Sequence, residues 1–106
     1  VSGQIPLDPR SGKLVPGGIA AETRRALANL FAVLRAAGCG PEHVVKCTIF
    51  LADINDVRDV NAIYGEFFSA PFPARAVVQA AALPAGARVE IEAWAYFGHR
   101  ESKIEK

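Results

Sequence analysis

Arg88-Val89-Glu90-Ile91-Glu92-Ala93-Trp94-Ala95-Tyr96-Phe97 alternates in character with a period of two. Successive side chains of a strand point to opposite faces. Val89, Ile91, Ala93, Ala95 and Phe97 therefore share one face, and Arg88, Glu90, Glu92, Trp94 and Tyr96 the other. The first face is core material. The second holds two carboxylates and two large aromatics, which suits neither a core nor a solvent face. A sheet face of that kind often meets another copy of the chain.

The rest of the chain supplies the layer that the apolar face needs. From Ile19 to Ala37, Ile19, Thr23, Ala26, Leu27, Leu30, Phe31, Leu34 and Ala37 recur at three- and four-residue steps, one stripe of a helix. Glu22, Arg24, Arg25, Asn29 and Arg35 take its polar side, and Gly38 suits the left-handed turn that ends it. Val44 to Ala52 predicts a strand, apolar on both parities and hence central. Asp53 or Asn55 can cap a second helix with the stripe Val57, Val60, Tyr64 and Phe67, stopped by Pro71 and Pro73. Arg75 to Ala81 predicts another strand, and Leu83-Pro84-Ala85-Gly86 a turn into the last one. Ahead of these, Val1 to Leu7 predicts a short strand, with turn chemistry over Asp8 to Lys13 and a brief return at Leu14 and Val15. The order is β(β)–α–β–α–β–β. It predicts an α+β fold, a mixed sheet with two helices packed on one face.

With 106 residues, 51% hydrophobic and 22% charged, the chain has the composition of one globular domain rather than a disordered segment. Twelve Lys and Arg against eleven Asp and Glu leave a formal charge of +1, which argues against nucleic acid or an anionic membrane as partner. A domain of this size is marginal alone and gains from oligomerisation. Two cysteines are too few for a disulfide scaffold: Cys39 sits in a glycine turn, and Cys47 fits a small buried hydrophobe. No run approaches the ~20 apolar residues of a membrane span, and no signal peptide is visible, so a reducing, cytoplasmic location is expected. The sequence opens at Val1 without Met, and further residues are expected upstream. The charged tail 99–106 is expected to be solvated, leaving a domain over 1–98.

No GxGxxG, P-loop, HExxH, CxxC or GxSxG is present, so dinucleotide binding, zinc hydrolysis and the usual serine hydrolase layout lack support. His43 and His99 read as solvated histidines. Arg75 opens an apolar strand, a poor place for Arg unless it is paired or at an edge. It can grip a carboxylate by two parallel hydrogen bonds, or form an interface or surface salt bridge. Glu90 and Glu92 share a strand face and can either raise one pKa for acid–base work or stand solvated and Arg-paired. Gln79, Asn61 and Ser2 are neutral groups able to line a site. Arg24, Arg25 and Arg35 could form a basic ridge for RNA, but Glu22 interrupts it and no RNA-binding motif accompanies it.

Several stretches resemble the Rid proteins, the reactive intermediate deaminases also called the YjgF family. The opening Ser2-Gly3-Gln4-Ile5-Pro6 is similar to that family's S-G-Q-I-P segment. Val44-Val45-Lys46-Cys47-Thr48, Leu51-Ala52-Asp53-Ile54-Asn55-Asp56, Val60-Asn61-Ala62-Ile63-Tyr64 and Phe72-Pro73-Ala74-Arg75 follow in one register, as does Val89-Glu90-Ile91-Glu92-Ala93. The resemblance runs from Val1 to about Ala95, and is nearest to the RidA branch.

The resemblance implies a chorismate-mutase-like fold, a six-stranded sheet with two helices on one face, assembled as a homotrimer with sites in clefts between subunits. It implies hydrolysis of 2-imino acids such as 2-iminobutanoate and 2-iminopropanoate, or their enamine tautomers, to 2-oxo acids and ammonia, without metal or cofactor. It places the carboxylate grip at Arg75 and the acid–base glutamate, which positions the attacking water, at Glu90. Ser2, Gly3 and Asn61 are implied pocket residues, and Val77 is implied to offer its backbone N–H to the carboxylate. Val77 stands where many bacterial members have Cys. The family also carries a strand before S-G-Q with a G-P-Y tyrosine lining the pocket, and no stretch here matches it. Two other readings follow from relatives and from the residues: an endoribonuclease or translation inhibitor, and a non-catalytic trimer that binds 2-oxo acids.

Overall fold

A computed structural model describes residues 1–97 of the chain. The expected solvated tail, 99–106, lies outside the described residues. Helix α1 spans Gly18–Ala36, strand β1 Val44–Leu51, helix α2 Val57–Phe67, strand β2 Ala74–Gln79 and strand β3 Val89–Ala95. The sheet is mixed, in the order β2-β1-β3, with β1 parallel to β2 and antiparallel to β3. Parallel neighbours need a crossover, and α2 provides it. The fold is α+β, with two helices and a mixed sheet, as expected.

Register explains which residues become core. Cys47, Ile49 and Leu51 of β1 and Val89, Ile91 and Ala93 of β3 are buried together with Leu27, Leu30 and Leu34 of α1 and Val60, Ile63 and Tyr64 of α2. Phe31 of α1 meets Phe67 and Phe68 edge-on, at 5.5 and 5.3 Å between ring centroids, so an aromatic seam joins the helices. α1 ends as its sequence dictates. Gly38 takes φ +81°, the Cys39 N–H reaches Leu34 O and the Gly38 N–H reaches Arg35 O, a pairing that satisfies otherwise orphaned carbonyls. Asp53 caps a 3-10 turn over Ile54–Asp56 by accepting from the Asn55 N–H, and α2 begins directly after it.

Four expectations need correcting. β1 is the central strand, but beyond Val44 at its start only the Cys47, Ile49 and Leu51 face is buried; Thr48 and Phe50 are half-buried and Lys46 is exposed. Its apolar second parity therefore reports a face left open in the single chain. The opening segment forms no full strand. It is held by bridges of Gln4 to Ile91 and Leu7 to Leu14, and by the Asn29 side-chain amide donating to Ile5 O and Leu7 O. Glu22, read as solvated, is 0% exposed, and its carboxylate accepts from the Arg88 N–H at 2.8 Å and the Arg88 guanidinium at 2.7 Å. A buried carboxylate persists only with such partners. His43 is not free in solvent: its Nδ1 accepts from the Gly40 N–H at 2.8 Å, and its ring packs edge-on against Phe97.

Candidate active site

Arg75 and Glu90 are displayed on opposite faces of the sheet. Arg75 stands opposite Cys47 in the β1–β2 register, and Glu90 opposite Phe50 in the β1–β3 register. Residues 47 and 50 of one strand point to opposite sides. β2 and β3 are also not neighbours, since β1 lies between them. One chain thus holds two separate clusters.

The first lies on the helix face at the sheet edge. The Arg75 guanidinium donates from Nη1 to Asn61 Oδ1 and sits over the Tyr64 ring, 5.3 Å from its centroid. Asn61 and Tyr64 are three residues apart on α2, hence neighbours on one helix surface. Among the described residues no carboxylate pairs with Arg75. Burial pushes the Cys47 thiol up, with Tyr64 and the Arg75 charge only partly offsetting it. Burial likewise raises the Tyr64 hydroxyl, reinforced by Cys47 and opposed by Arg75. The hydroxyl is buried without a hydrogen-bond partner; the thiol beside it is a weak one and the pair does not reach hydrogen-bond geometry. Arg75 is thus held by neutral groups, with its charge uncompensated.

Val77, two residues on, adds a donor at the same edge. The Ala80 N–H reaches Leu51 O at 2.8 Å. N–H directions alternate along a strand, so those of Ala76 and Val78 also face β1 and that of Val77 faces away from it. The Val77 N–H thus points to the open edge of β2, and Arg75 of the same strand is exposed.

The second cluster lies on the other face. Gly3 runs beside β3, anchored by the Gln4 N–H to Ile91 O and the Ile91 N–H to Gln4 O. A Cβ at Gly3 would collide with the Glu90 carboxylate and lie 2.8 Å from its Cδ. Glycine is needed there for close approach. Ser2 is exposed and borders a shallow cleft with Val1, Glu92 and Trp94. The structure therefore brings Arg75, Asn61 and Val77 together on one strand edge, and Gly3 and Glu90 together on the other face, but does not join the two sets within one chain; Ser2 lies in the cleft beside Glu92 rather than against Glu90. Gln79, offered as a lining group, instead accepts from the Ile54 N–H at 2.8 Å and ties β2 to the loop before α2.

Tyr64 and Cys47 were legible only as core residues; nothing in their spacing announces an arginine above them. The possible RNA ridge is broken up by partners, since Arg24 pairs with Glu66 at 3.1 Å and Arg25 donates to Asn29. Among the described residues no three His, Cys, Asp or Glu converge as metal ligands, and no helix is long and apolar enough to cross a membrane.

The family model described as Endoribonuclease L-PSP matches residues 1–97. A 2-iminobutanoate/2-iminopropanoate deaminase of Bos taurus is 56% identical over 98 residues, spanning 92% of this chain and 72% of the relative. The solved structure of RidA from an Antarctic Psychrobacter matches with TM-score 0.87 and 40% identity over 91% of this chain and 77% of that one. That of E. coli TdcF with bound serine matches with TM-score 0.83 and 36% identity over 90% and 76%.

Proposed function

The chain belongs to the Endoribonuclease L-PSP family, the Rid proteins, and on that premise we propose that it is a 2-iminobutanoate/2-iminopropanoate deaminase, a hydrolase of C=N bonds. The observation that carries this reading is Arg75: an oriented guanidinium, held by an amide oxygen and an aromatic ring, whose charge no carboxylate of the described residues neutralises. Such a group suits a small anionic substrate. The relative TdcF holds serine, which also carries a carboxylate.

The chemistry assigned to each residue follows from the substrate. A protonated 2-imino acid has an electrophilic carbon next to its carboxylate. Arg75 and the Val77 N–H hold the carboxylate and fix where that carbon lies. Glu90 holds water and takes its proton as the oxygen adds to the C=N carbon. The same proton is returned to nitrogen; as the C–N bond breaks, Glu90 takes the remaining hydroxyl proton so that the C=O forms, and passes it to the departing ammonia, so that 2-oxo acid and ammonium leave. Orientation and a placed water are most of what such a reaction needs. Gly3 gives Glu90 its space, and Ser2 borders the cleft beside Glu92.

Because Arg75 and Glu90 lie on opposite faces of one chain, the complete site is assigned to the meeting of two copies, in a chorismate-mutase-like homotrimer. The half-covered face with Phe50, Val78 and Trp94, of which Val78 is 43% and Trp94 68% exposed, supports a partner there.

The test couples the protein to a threonine dehydratase and follows loss of 2-iminobutanoate against buffer. Acceleration by the wild type that falls at least about 100-fold in Arg75→Ala is expected, since a grip that orients the substrate is worth several kcal/mol. Full rate in Arg75→Ala contradicts the mechanism. Binding of 2-oxobutanoate without turnover, or cleavage of single-stranded RNA that Arg75→Ala abolishes, would replace the reading.

A further inference from the structure

We infer that Tyr64 is a positioning residue for the carboxylate grip, its ring face holding the Arg75 guanidinium in the binding orientation while its hydroxyl plays no part. This rests on the reading of Arg75 as the group that binds the substrate carboxylate.

Arg75 starts on an edge strand and is exposed, where an arginine side chain would ordinarily sample many rotamers. Two contacts on adjacent turns of α2 restrict it. Asn61 accepts one N–H, and the Tyr64 ring lies beneath the guanidinium carbon at 5.3 Å. The ring cannot swing away. Tyr64 is 6% exposed, and Phe68 packs against it at 4.7 Å between centroids. A fixed aromatic face attracts a cation through its quadrupole without neutralising it. That property distinguishes it from a salt-bridge partner. An Asp or Glu at this place would orient Arg75 equally well but would compete with the substrate for its charge.

The hydroxyl tells the same story by default. It is buried and, among the described residues, has no hydrogen-bond partner, so it does not bond the guanidinium and does not meet solvent in the single chain. The ring is what the position uses. Cys47, opposite Arg75 in the register and fully buried, completes a floor without an anion. Asn61, implied as a pocket residue, then has its carbonyl oxygen engaged by Arg75, which makes it a partner in the same clamp.

The experiment replaces Tyr64 while keeping its shape. Tyr64→Phe retains the quadrupole, and Tyr64→pentafluorophenylalanine reverses it in a ring of nearly the same size. Two readouts are taken: kcat and KM for 2-iminobutanoate, and calorimetric Kd for 2-oxobutanoate, the stable product with the same carboxylate. The expected result is that Tyr64→Phe, which keeps the quadrupole, shifts KM and Kd far less than the fluorinated ring does. For the fluorinated ring, KM and Kd rise about 10-fold with kcat within about twofold, a loss of binding shared by ground and transition states. A merely structural role moves Tm or the active fraction and leaves KM and Kd alone. Unchanged KM and Kd with the fluorinated ring, or an equal rise in Tyr64→Phe, overturns the inference. The arms separate the two claims: absence of turnover in the wild type sinks the deaminase reading, whereas 2-oxobutanoate binding still reads the effect of the ring on Arg75.

Discussion

At the residue scale, the side chains of the candidate site sit in chemically asymmetric surroundings. Arg75 is gripped by neutral groups, and Glu90 is crowded by a residue with no side chain. Gly3→Ala tests the second. The obstructing atoms belong to the end of a flexible side chain, so the added methyl is expected to displace the Glu90 carboxylate rather than unfold the protein. Tm should change little, while kcat for 2-iminobutanoate falls about 10- to 100-fold, the effect of misplacing a reacting group by about 1 Å. A variant with wild-type kcat would detach Gly3 from the site. Arg75 stands out in the sequence because it opens an apolar strand, and Glu90 because it shares with Glu92 a strand face that also carries two large aromatics; the choice of Glu90 over Glu92 comes from the resemblance alone. Tyr64 does not: an aromatic in an apolar helical stripe satisfies the core pattern whether or not a cation rests on it. Glu22 was misread for the opposite reason. Helical spacing put it on the polar side, and its partner Arg88 lies 66 residues away, beyond the reach of any local pattern.

At the scale of elements, that pair joins the first turns of α1 to the start of β3. The two partners are unequally exposed: Glu22 is fully buried and the Arg88 side chain is 54% exposed. Losing either should therefore cost different amounts. Arg88→Ala leaves a buried carboxylate with one backbone donor, and the cost of stranding a buried charge is about 3–5 kcal/mol. Glu22→Gln leaves Arg88 able to turn to water and keeps an oxygen for the Arg88 N–H, so its cost should be nearer the ~1.5–3 kcal/mol of a charged hydrogen bond. Urea unfolding measures both. Equal losses, or a loss below about 1 kcal/mol in Arg88→Ala, would contradict this assignment. The elements themselves were largely readable. α1, α2 and the three strands fall within one to three residues of their expected bounds, because periodicity, Gly38 and the prolines mark them locally. The opening segment was less so. Its hydrogen bonds to Ile91 and Asn29 are long-range, and only isolated bridges result.

At the scale of the whole molecule, the sheet separates the two clusters that the proposed site joins. Arg75 faces the helices, Glu90 faces the open side, and a full strand lies between them. The peculiar second face of β3 was visible in the sequence as carboxylates interleaved with aromatics. The proposed meeting of the two clusters between copies was not, because no local pattern encodes an assembly. The most direct measurement mixes two inactive variants. Arg75→Ala and Glu90→Gln are unfolded together, refolded at equal concentrations, and assayed for loss of 2-iminobutanoate. Each variant alone should be inactive. The mixture should recover about a quarter of the wild-type rate, because three quarters of randomly assembled cyclic trimers are mixed and each of those regains one intact site in three. A mixture no more active than its components, formed from subunits shown to exchange, would contradict a site shared between copies.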